Sequence, residues 1–390
     1  MSEAYIVSAV RTAGGRRKGR LSGIHATDLA SLALDAAVDR AGIDPSKVED
    51  VILGCVSQIG EQSFNAARQA VLTSKLPVSV PGTTVDRQCG SSQQALHFAA
   101  ATVMAGQMDV VIAAGVESMT RVPMFSAYGV AVKAGMGGPY SAKLKDIYPG
   151  EDFSQFASAE QIAKDHGISK EDLDTFALSS HQKAASAQER GDFDAEIVPV
   201  EIDLPEGGKG IHDKDEGIRH GATLEAIAGV DPILPGGIVT AASASQLCDG
   251  ASAVLIASAK AVKEYGLKPL ARIHSMTVTA GDPVNLLVEP LYATEKALAK
   301  AGMKIEDIDL YEVNEAFGSI PLAWVKHVGA DIDKMNVNGG AIALGHPLGC
   351  SGTKLMATLV HALHKRGKKW GLQTMCEGGG QANVTIIEAL

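Results

Sequence analysis

The sequence predicts an α/β protein built from two similar halves, and three observations carry that prediction. Glycine takes 42 of 390 positions, above the usual share of about 7%, while aromatic residues make up only 4%. Small residues therefore do much of the packing, and many backbone segments must run close together. The apolar runs are short and lack clean alternation, as in Val110–Gly115 and Val384–Ile387, which suits strands buried on both faces of a sheet. Finally, parts of the chain repeat at a near-constant offset.

The segment AAVDRAGIDPSKV (36–48) matches KALAKAGMKIEDI (296–308), with Ala41-Gly42 over Ala301-Gly302 at an offset of 260 (301 − 41). Each predicts a helix ended by glycine, then a turn, then a strand, Val51–Gly54 in one and Tyr311–Asn314 in the other. Gln88–Ser91 lies over Gly349–Gly352 at an offset of 261 (349 − 88), each pair opening a helix. Val110–Gly115 lies over Gly371–Cys376, again at 261 (371 − 110). One insertion accounts for the change of offset, so the reading is a duplication.

Between the matched segments, Gly82–Val85 predicts a strand, and Ser92–Gly106 a helix that is apolar nearly all round. Its Ala95, Leu96, Phe98, Ala99, Ala100, Val103 and Met104 suit the interior of a large protein. From Arg121 to Ile238 the chain is more polar and reads as an insertion built on the first half. It holds a helix at 169–190, opened by a capping box of Ser169 and Asp172, and turns at Pro205–Gly208 and Pro235–Gly237. Thr353–Arg366 predicts an amphipathic helix whose terminal His364, Lys365 and Arg366 suit the negative end of its dipole. Residues 1–120 with 239–268 are expected to form the first half, 121–238 an inserted loop domain, and 269–390 the second half.

Composition narrows the setting. A net charge of −10 gives no global footprint for nucleic acid. Five widely spaced cysteines without a CxxC pair argue against a disulfide framework or zinc knuckle and for a reducing compartment. No apolar stretch is long enough to span a membrane, and neither end carries a targeting signal, so a cytoplasmic protein is expected. Arg11, Arg16, Arg17, Lys18 and Arg20 form a basic loop, read as solvated. His97, His361 and His364 are read as packing or dipole partners, and Cys55, Cys248 and Cys350 as packing residues.

Three segments carry candidate chemistry. Cys89 follows the strand at Gly82–Val85 and opens the buried helix, where free backbone N–H groups and the helix dipole are expected to lower a thiol pKa. The string Cys89-Gly90-Ser91 resembles that of papain-type proteases, but Ser92 and Gln93 stand where those have a cysteine and an aromatic residue. His346 lies in GGAIALGHPLGCSG (339–352), between Gly345 and Pro347, as an aimed imidazole able to activate a thiol. Cys376, in TMCEGGG (374–380), ends a strand before three glycines, the arrangement for an acid/base thiol beside an oxyanion hole. No HExxH, Walker A or GxGxxG motif is present.

Together VDRQCGSSQQA (85–95), YEVNEAF (311–317), GGAIALGHPLGCSG and TMCEGGG resemble the four signature segments of the thiolase family, in family order and over the whole chain. The resemblance implies a five-layer αβαβα fold of two halves, an inserted loop domain for coenzyme A, and homodimers or homotetramers. It implies that Cys89 is the nucleophile, His346 its activator and Cys376 the acid/base. Asn314, through a water, would form one oxyanion hole with His346, and the N–H groups of Cys89 and Gly378 the other. Arg219 and Ser245 match positions that contact coenzyme A, which acts as co-substrate without a metal or other cofactor. The implied reaction cleaves a 3-oxoacyl-CoA with free coenzyme A, by ping-pong exchange, to acetyl-CoA or propionyl-CoA and a shortened acyl-CoA. Alternatives are a condensing acetyl-CoA C-acetyltransferase, a decarboxylating ketoacyl synthase, against which Asn314-Glu315 and Cys376 argue, and a silent acyl-CoA-binding protein. The strings around Cys89 and Cys376 are most similar to bacterial thiolases of steroid and ring-fragment catabolism. The chain departs from the family at Ser154–Phe156, Ser243, Ala226 and Glu377, the last standing where an apolar residue is common.

Overall fold

The computed structural model describes residues 3–205 and 207–390, so Glu206 of the predicted turn lies outside the described residues. The principal strands are β1 (Ala4–Thr12), β2 (Asp50–Gly54), β3 (Gly82–Val85), β4 (Val110–Ser118), β5 (Cys248–Ser258), β6 (Ala271–Ala280), β7 (Leu310–Val313), β8 (Trp370–Glu377) and β9 (Gln381–Ala389). The helices that cover them are α1 (Ala26–Ala41), α2 (Ala66–Thr73), α3 (Ser91–Met104), α4 (Lys170–Glu189), α5 (Glu289–Ala301), α6 (Ser319–Val328) and α7 (Ser351–Lys365).

The strands run in the order β7-β8-β9-β6-β1-β5-β4-β2-β3. Read outward from the centre, β1-β5-β4-β2 and β6-β9-β8-β7 are the same motif: two antiparallel pairings followed by a parallel one. Even the irregularities match, since β1 slips register against β5 between Ile6 and Ser8, and β6 against β9 between Ile273 and Ser275. The helix ends agree as closely. α1 stops at Gly42 and α5 at Gly302, both in the left-handed region at φ 66°, where glycine meets no Cβ penalty. The two halves join edge to edge through Tyr5↔Arg272 and Ile6↔Ala271, so the two sheets of the expected layers form one continuous strand order.

Three apolar cores hold five layers together, the middle core lying on both faces of the central helices. α1 and α2 cover the outer face of the first sheet through Leu29, Leu34, Val38 and Val71. α3 and α7 lie between the sheets, where Leu96, Val103, Met356, Leu359 and Leu363 meet Ile6, Ile256, Ile273 and Ile387. α5 and α6 cover the outer face of the second sheet through Leu291, Ile320 and Trp324. Because each sheet is covered twice, every residue of β4 and β5 is buried, which explains runs without alternation. α7, expected to be amphipathic, is instead buried on all sides over its first ten residues, because the sandwich leaves the central layer no wet face. α3 keeps one large apolar residue exposed, Phe98, against the all-interior expectation.

The stretch 121–238 contributes to two cores. Its helix Gln155–Asp165 and α4 bring Ile162, Leu173 and Phe176 into the core of the second half, while Val198, Val200 and Ile202 join that of the first. α4 is opened by the Ser169–Asp172 capping box. Arg11 does not belong to the basic loop; it is fully buried on β1 and bonds Glu196 (2.6 Å) and Asp215 (2.8 Å). Arg16, Arg17, Lys18 and Arg20 are exposed. Among the described residues no helix is long and apolar enough to cross a membrane.

Candidate active site

Cys89 sits on the turn between β3 and α3, two residues before the first helical position. The turn is wound tightly. Asp86 accepts the N–H of Gln88 at 2.7 Å, and Ser91 accepts the N–H of Arg87 at 2.9 Å while donating to the Gln88 carbonyl at 2.6 Å. Gln88 is thereby held in the left-handed region at φ 49°, a conformation that costs free energy in a non-glycine residue and recurs beside reactive groups. Of the five cysteines, all free, Cys89 is the only one not buried.

Facing this turn is the end of β8. The Gln88 side chain lies over Gly378, and the Glu377 carboxyl lies so close to Gly90 that a Cβ there would overlap it. Cys376, fully buried, precedes Glu377 on the same strand. β7 runs parallel beside β8, and the N–H of Asn314 donates to the Thr374 carbonyl at 3.1 Å, which sets Asn314 next to the Cys376 strand end.

The loop 339–350 brings His346 to the same place. Thr353 N–H donates to Ser92 Oγ at 3.0 Å, locking the start of α7 to the start of α3. His346 Nδ1 lies 2.5 Å from Ser351 Oγ, whose own proton goes to the Pro347 carbonyl at 2.8 Å. Nδ1 is therefore the protonated nitrogen, and Nε2 presents its lone pair. Asn314 Nδ2 approaches Nε2 at 3.4 Å, and Asn314 Oδ1 is buried without a protein partner.

Three further side chains hold this loop, of which only Glu315 was singled out from the sequence. Lys354, buried on α7, donates to the carbonyls of Leu344 (2.7 Å) and Gly345 (2.8 Å), immediately before His346. Glu117 accepts the N–H of Gly349 at 2.9 Å, and Glu315 that of Ile342 at 3.0 Å. A lysine inside the apolar run of α7 was the one available signal for Lys354; Glu315 stands in the YEVNEAF motif, while Glu117 carries no signal because its partners are distant in sequence.

Electrostatics overturn one expectation. Burial, then the Glu377 carboxylate, push the Cys89 thiol up to about 12, outweighing the helix dipole that was expected to lower it. Burial, then the charge of Lys354, push His346 down to about 3. Cys376 is raised well above the ordinary thiol range by burial and by Cys89 and Glu377. At rest the thiols and the imidazole are all neutral.

The coenzyme candidates converge on the same strip. Gln246 Nε2 donates to the Gly217 carbonyl (2.9 Å) and the Ile342 carbonyl (2.7 Å), while its own carbonyl accepts the His346 N–H at 3.0 Å. Ser245, half-buried, is its neighbour, and its N–H donates to the Ala316 carbonyl at 2.9 Å. Arg219 is exposed two residues from Gly217, with its N–H on His181 Nδ1 at 3.3 Å.

The N-terminal domain model of thiolase matches residues 4–260, and the C-terminal domain model residues 267–389. The steroid 3-ketoacyl-CoA thiolase FadA6 of Mycobacterium tuberculosis is 49% identical over all of this chain and 95% of its own length. The Bacillus anthracis acetyl-CoA acetyltransferase superposes with a TM-score of 0.91 at 37% identity, covering 100% of this chain and 99% of its own. Human mitochondrial 3-ketoacyl-CoA thiolase does so with 0.90 at 38% identity, with the same coverage. With both domain models matched in order and a near-half-identical relative along the whole chain, the protein belongs to the thiolase family.

Proposed function

We propose that the protein is an acetyl-CoA C-acyltransferase that cleaves 3-oxoacyl-CoA with free coenzyme A. The observation that carries the reading is the meeting of a half-exposed thiol, a neutral imidazole whose unprotonated Nε2 faces Asn314, and a second buried thiol at one crevice. In the first half-reaction His346 Nε2 takes the Cys89 proton as the sulfur attacks the 3-oxo carbon. The C2–C3 bond then breaks, leaving an acyl thioester on Cys89, and the departing enolate takes the proton of Cys376. In the second, the Cys376 thiolate takes the proton of incoming coenzyme A, whose sulfur attacks the thioester. Cys89 leaves as thiolate and recovers its proton from His346.

Asn314 Oδ1 has the free capacity to hold a water, which with protonated His346 Nε2 would stabilise one oxyanion. The N–H groups of Cys89 and Gly378 would stabilise the other. Arg219 and Ser245 would meet coenzyme A from residues 121–238 and the segment that follows, with residues 1–120 and 239–268 as the first half and 269–390 as the second. No metal or prosthetic group enters these steps. The M. tuberculosis relative's name directs the substrate choice towards acyl groups from steroid breakdown.

Thiolysis of a panel of linear, branched and cyclic 3-oxoacyl-CoAs tests the reading, together with mass spectrometry for an acyl adduct on Cys89 and not on Cys350. No turnover of any member, or an unchanged rate in Cys89→Ala, would overturn it. Run in the condensing direction, the same panel separates the acetyltransferase alternative. Free thiols throughout support a cytoplasmic setting. Edge strand β3, flanked by Phe64 at 88% exposure, Val78 and Phe98, supports a homodimer or homotetramer. Sedimentation as a monomer at micromolar concentration would refute that.

A further inference from the structure

Glu377 is the departure from the family pattern that the proposed chemistry leaves unused. It is fully buried, and neither carboxyl oxygen has a hydrogen-bond partner. Two other buried glutamates beside the site differ sharply. Glu117 accepts from Val56, Ser57, Gln62 and Gly349, and Glu315 from Ser180, Asn336 and Ile342. Opposite Glu377 stands Gln381, whose amide is committed elsewhere: its oxygen accepts from Arg87 at 2.7 Å and its nitrogen donates to the Gly378 carbonyl at 3.3 Å. The carboxyl rests against Gly90, next in chain to Cys89, and follows Cys376. An ion without hydrogen bonds is poorly tolerated in such a pocket, whereas the neutral acid is accommodated.

We propose that Glu377 is a positioning residue that acts through the two thiols. Its protonated carboxyl fills the space beneath Gly90 and leaves Cys89 and Cys376 able to carry negative charge, while its carboxylate opposes charge on both sulfurs. The proposal rests on the roles given above to Cys89 and Cys376, since the cycle needs a transient thiolate on each.

The groups around it come from every side. The turn before α3 brings Arg87 and Asp86, of which Arg87 favours the carboxylate and Asp86 acts against a Cys89 thiolate. α3 brings His97, held neutral by burial to about 3. β4 brings Glu117, which also opposes a Cys89 thiolate, and β9 brings the uncharged Gln381 and Asn383; the backbone N–H of Asn383 favours the carboxylate without completing a hydrogen bond to it. Across the crevice His346 is neutral and Lys354 stands behind it. Burial outweighs Arg87 and Asn383 and places Glu377 at about 8. The acid is thus neutral below that pH and charged above it.

The test is the rate of iodoacetamide alkylation at Cys89, followed by mass spectrometry from pH 6.5 to 9.5 in the full-length protein and in Glu377→Gln. Alkylation follows the thiolate and needs no turnover. The two proteins are expected to agree below pH 7. Above pH 8 the wild-type rate flattens while that of Glu377→Gln keeps climbing, to an advantage of about tenfold, one unit in the apparent thiol pKa. A ratio constant across the range, or a slower variant at alkaline pH, would overturn the proposal. Glu377→Leu, also neutral, must show the same divergence and serves if the glutamine variant does not accumulate. Divergent alkylation without thiolysis would sink the proposed reaction alone; parallel alkylation in an enzyme that thiolyses would sink the role of Glu377 alone.

Discussion

The two halves of this molecule share strand order, a matched register slip and glycine-capped helices, yet the same positions do different work in each. Where the parallel ladder of the first half ends stand Gly54 and Gly115; at the matching places of the second stand Asn314 and Cys376. A Cβ at Gly54 or Gly115 would collide with the backbone at Gly349. The first sheet therefore ends bare, and the loop that carries His346 settles onto it. The second sheet ends in the side chains of Asn314 and Cys376, and the turn that carries Cys89 settles onto them. The helix starts diverge in the same way. Cys89, before α3, is half-exposed, whereas its counterpart Cys350, before α7, is buried beneath Ser252, whose hydroxyl donates to the Cys350 carbonyl at 2.9 Å. Duplication supplied two equivalent crevices, and occupation of one by backbone leaves the other for chemistry.

Exchange of roles between the halves should fail most visibly at the cysteines. Cys89→Ala is expected to lower the thiolysis rate by about 10⁴-fold or more, while Cys350→Ser stays within a few-fold of wild type. Equal losses in the two variants would erase the asymmetry. Cys376→Ala should cost about 10²- to 10⁴-fold in rate with little change in melting temperature, as expected for loss of a proton-transfer group. Its counterpart Gly115→Ala should instead destabilise the fold by about 1–3 kcal/mol through overpacking, read as a lower Tm.

A smaller effect separates the central helices. Lys354 on α7 holds the two carbonyls before His346, while Gln93 at the counterpart place on α3 bonds Thr385 at 2.8 Å. Lys354→Met should lower kcat about 10- to 100-fold by releasing the loop, with partial recovery in Lys354→Arg. Because the lysine charge helps to depress His346, its removal should also move the acid limb of the pH–rate profile to higher pH. An unmoved limb would leave the lysine a purely structural role.

The smallest effect expected is on acid stability. His97 and His346 are buried neutral, with pKa values of about 3, below the unfolded value of about 6.5. Their contribution is present above pH 6.5 and is lost as pH falls from there towards 3, at about 2 kcal/mol per histidine by pH 5. His97→Gln should remove its share of the fall in Tm between pH 7 and 5. Its counterpart Thr358, which bonds Glu196 at 2.8 Å, has no such titration.

Much of this organisation was legible along the chain because its causes are local. Gly42 and Gly302 cap helices through their own backbone freedom, Ser169 and Asp172 close a capping box over three residues, and the strand at Gly82–Val85 ends where it was expected to. Cys89, His346, Cys376 and Asn314 were drawn together on paper by four short motifs, and the fold brings those segments to one crevice. What could not be read was anything set by burial or by a partner far away in sequence. Arg11 looked like one of a row of surface cations until Glu196 and Asp215 enclosed it. α7 looked amphipathic because of its polar Thr353, Lys354 and Thr358, whose side chains find partners inside the sandwich. The Cys89 thiol was expected low because a helix dipole is visible in sequence, whereas desolvation and the Glu377 carboxylate are not.

By itself, then, the chain determined the α/β class, the duplication, the family and the segments proposed to carry the chemistry, since each depends on residue type and short spacing. The tertiary structure decided which of two equivalent crevices is left open, which nitrogen of His346 carries the proton, and which charges a thiol must overcome. Those depend on distances between segments about 260 residues apart, which hydrophobic packing of the central layer closes and no local pattern records.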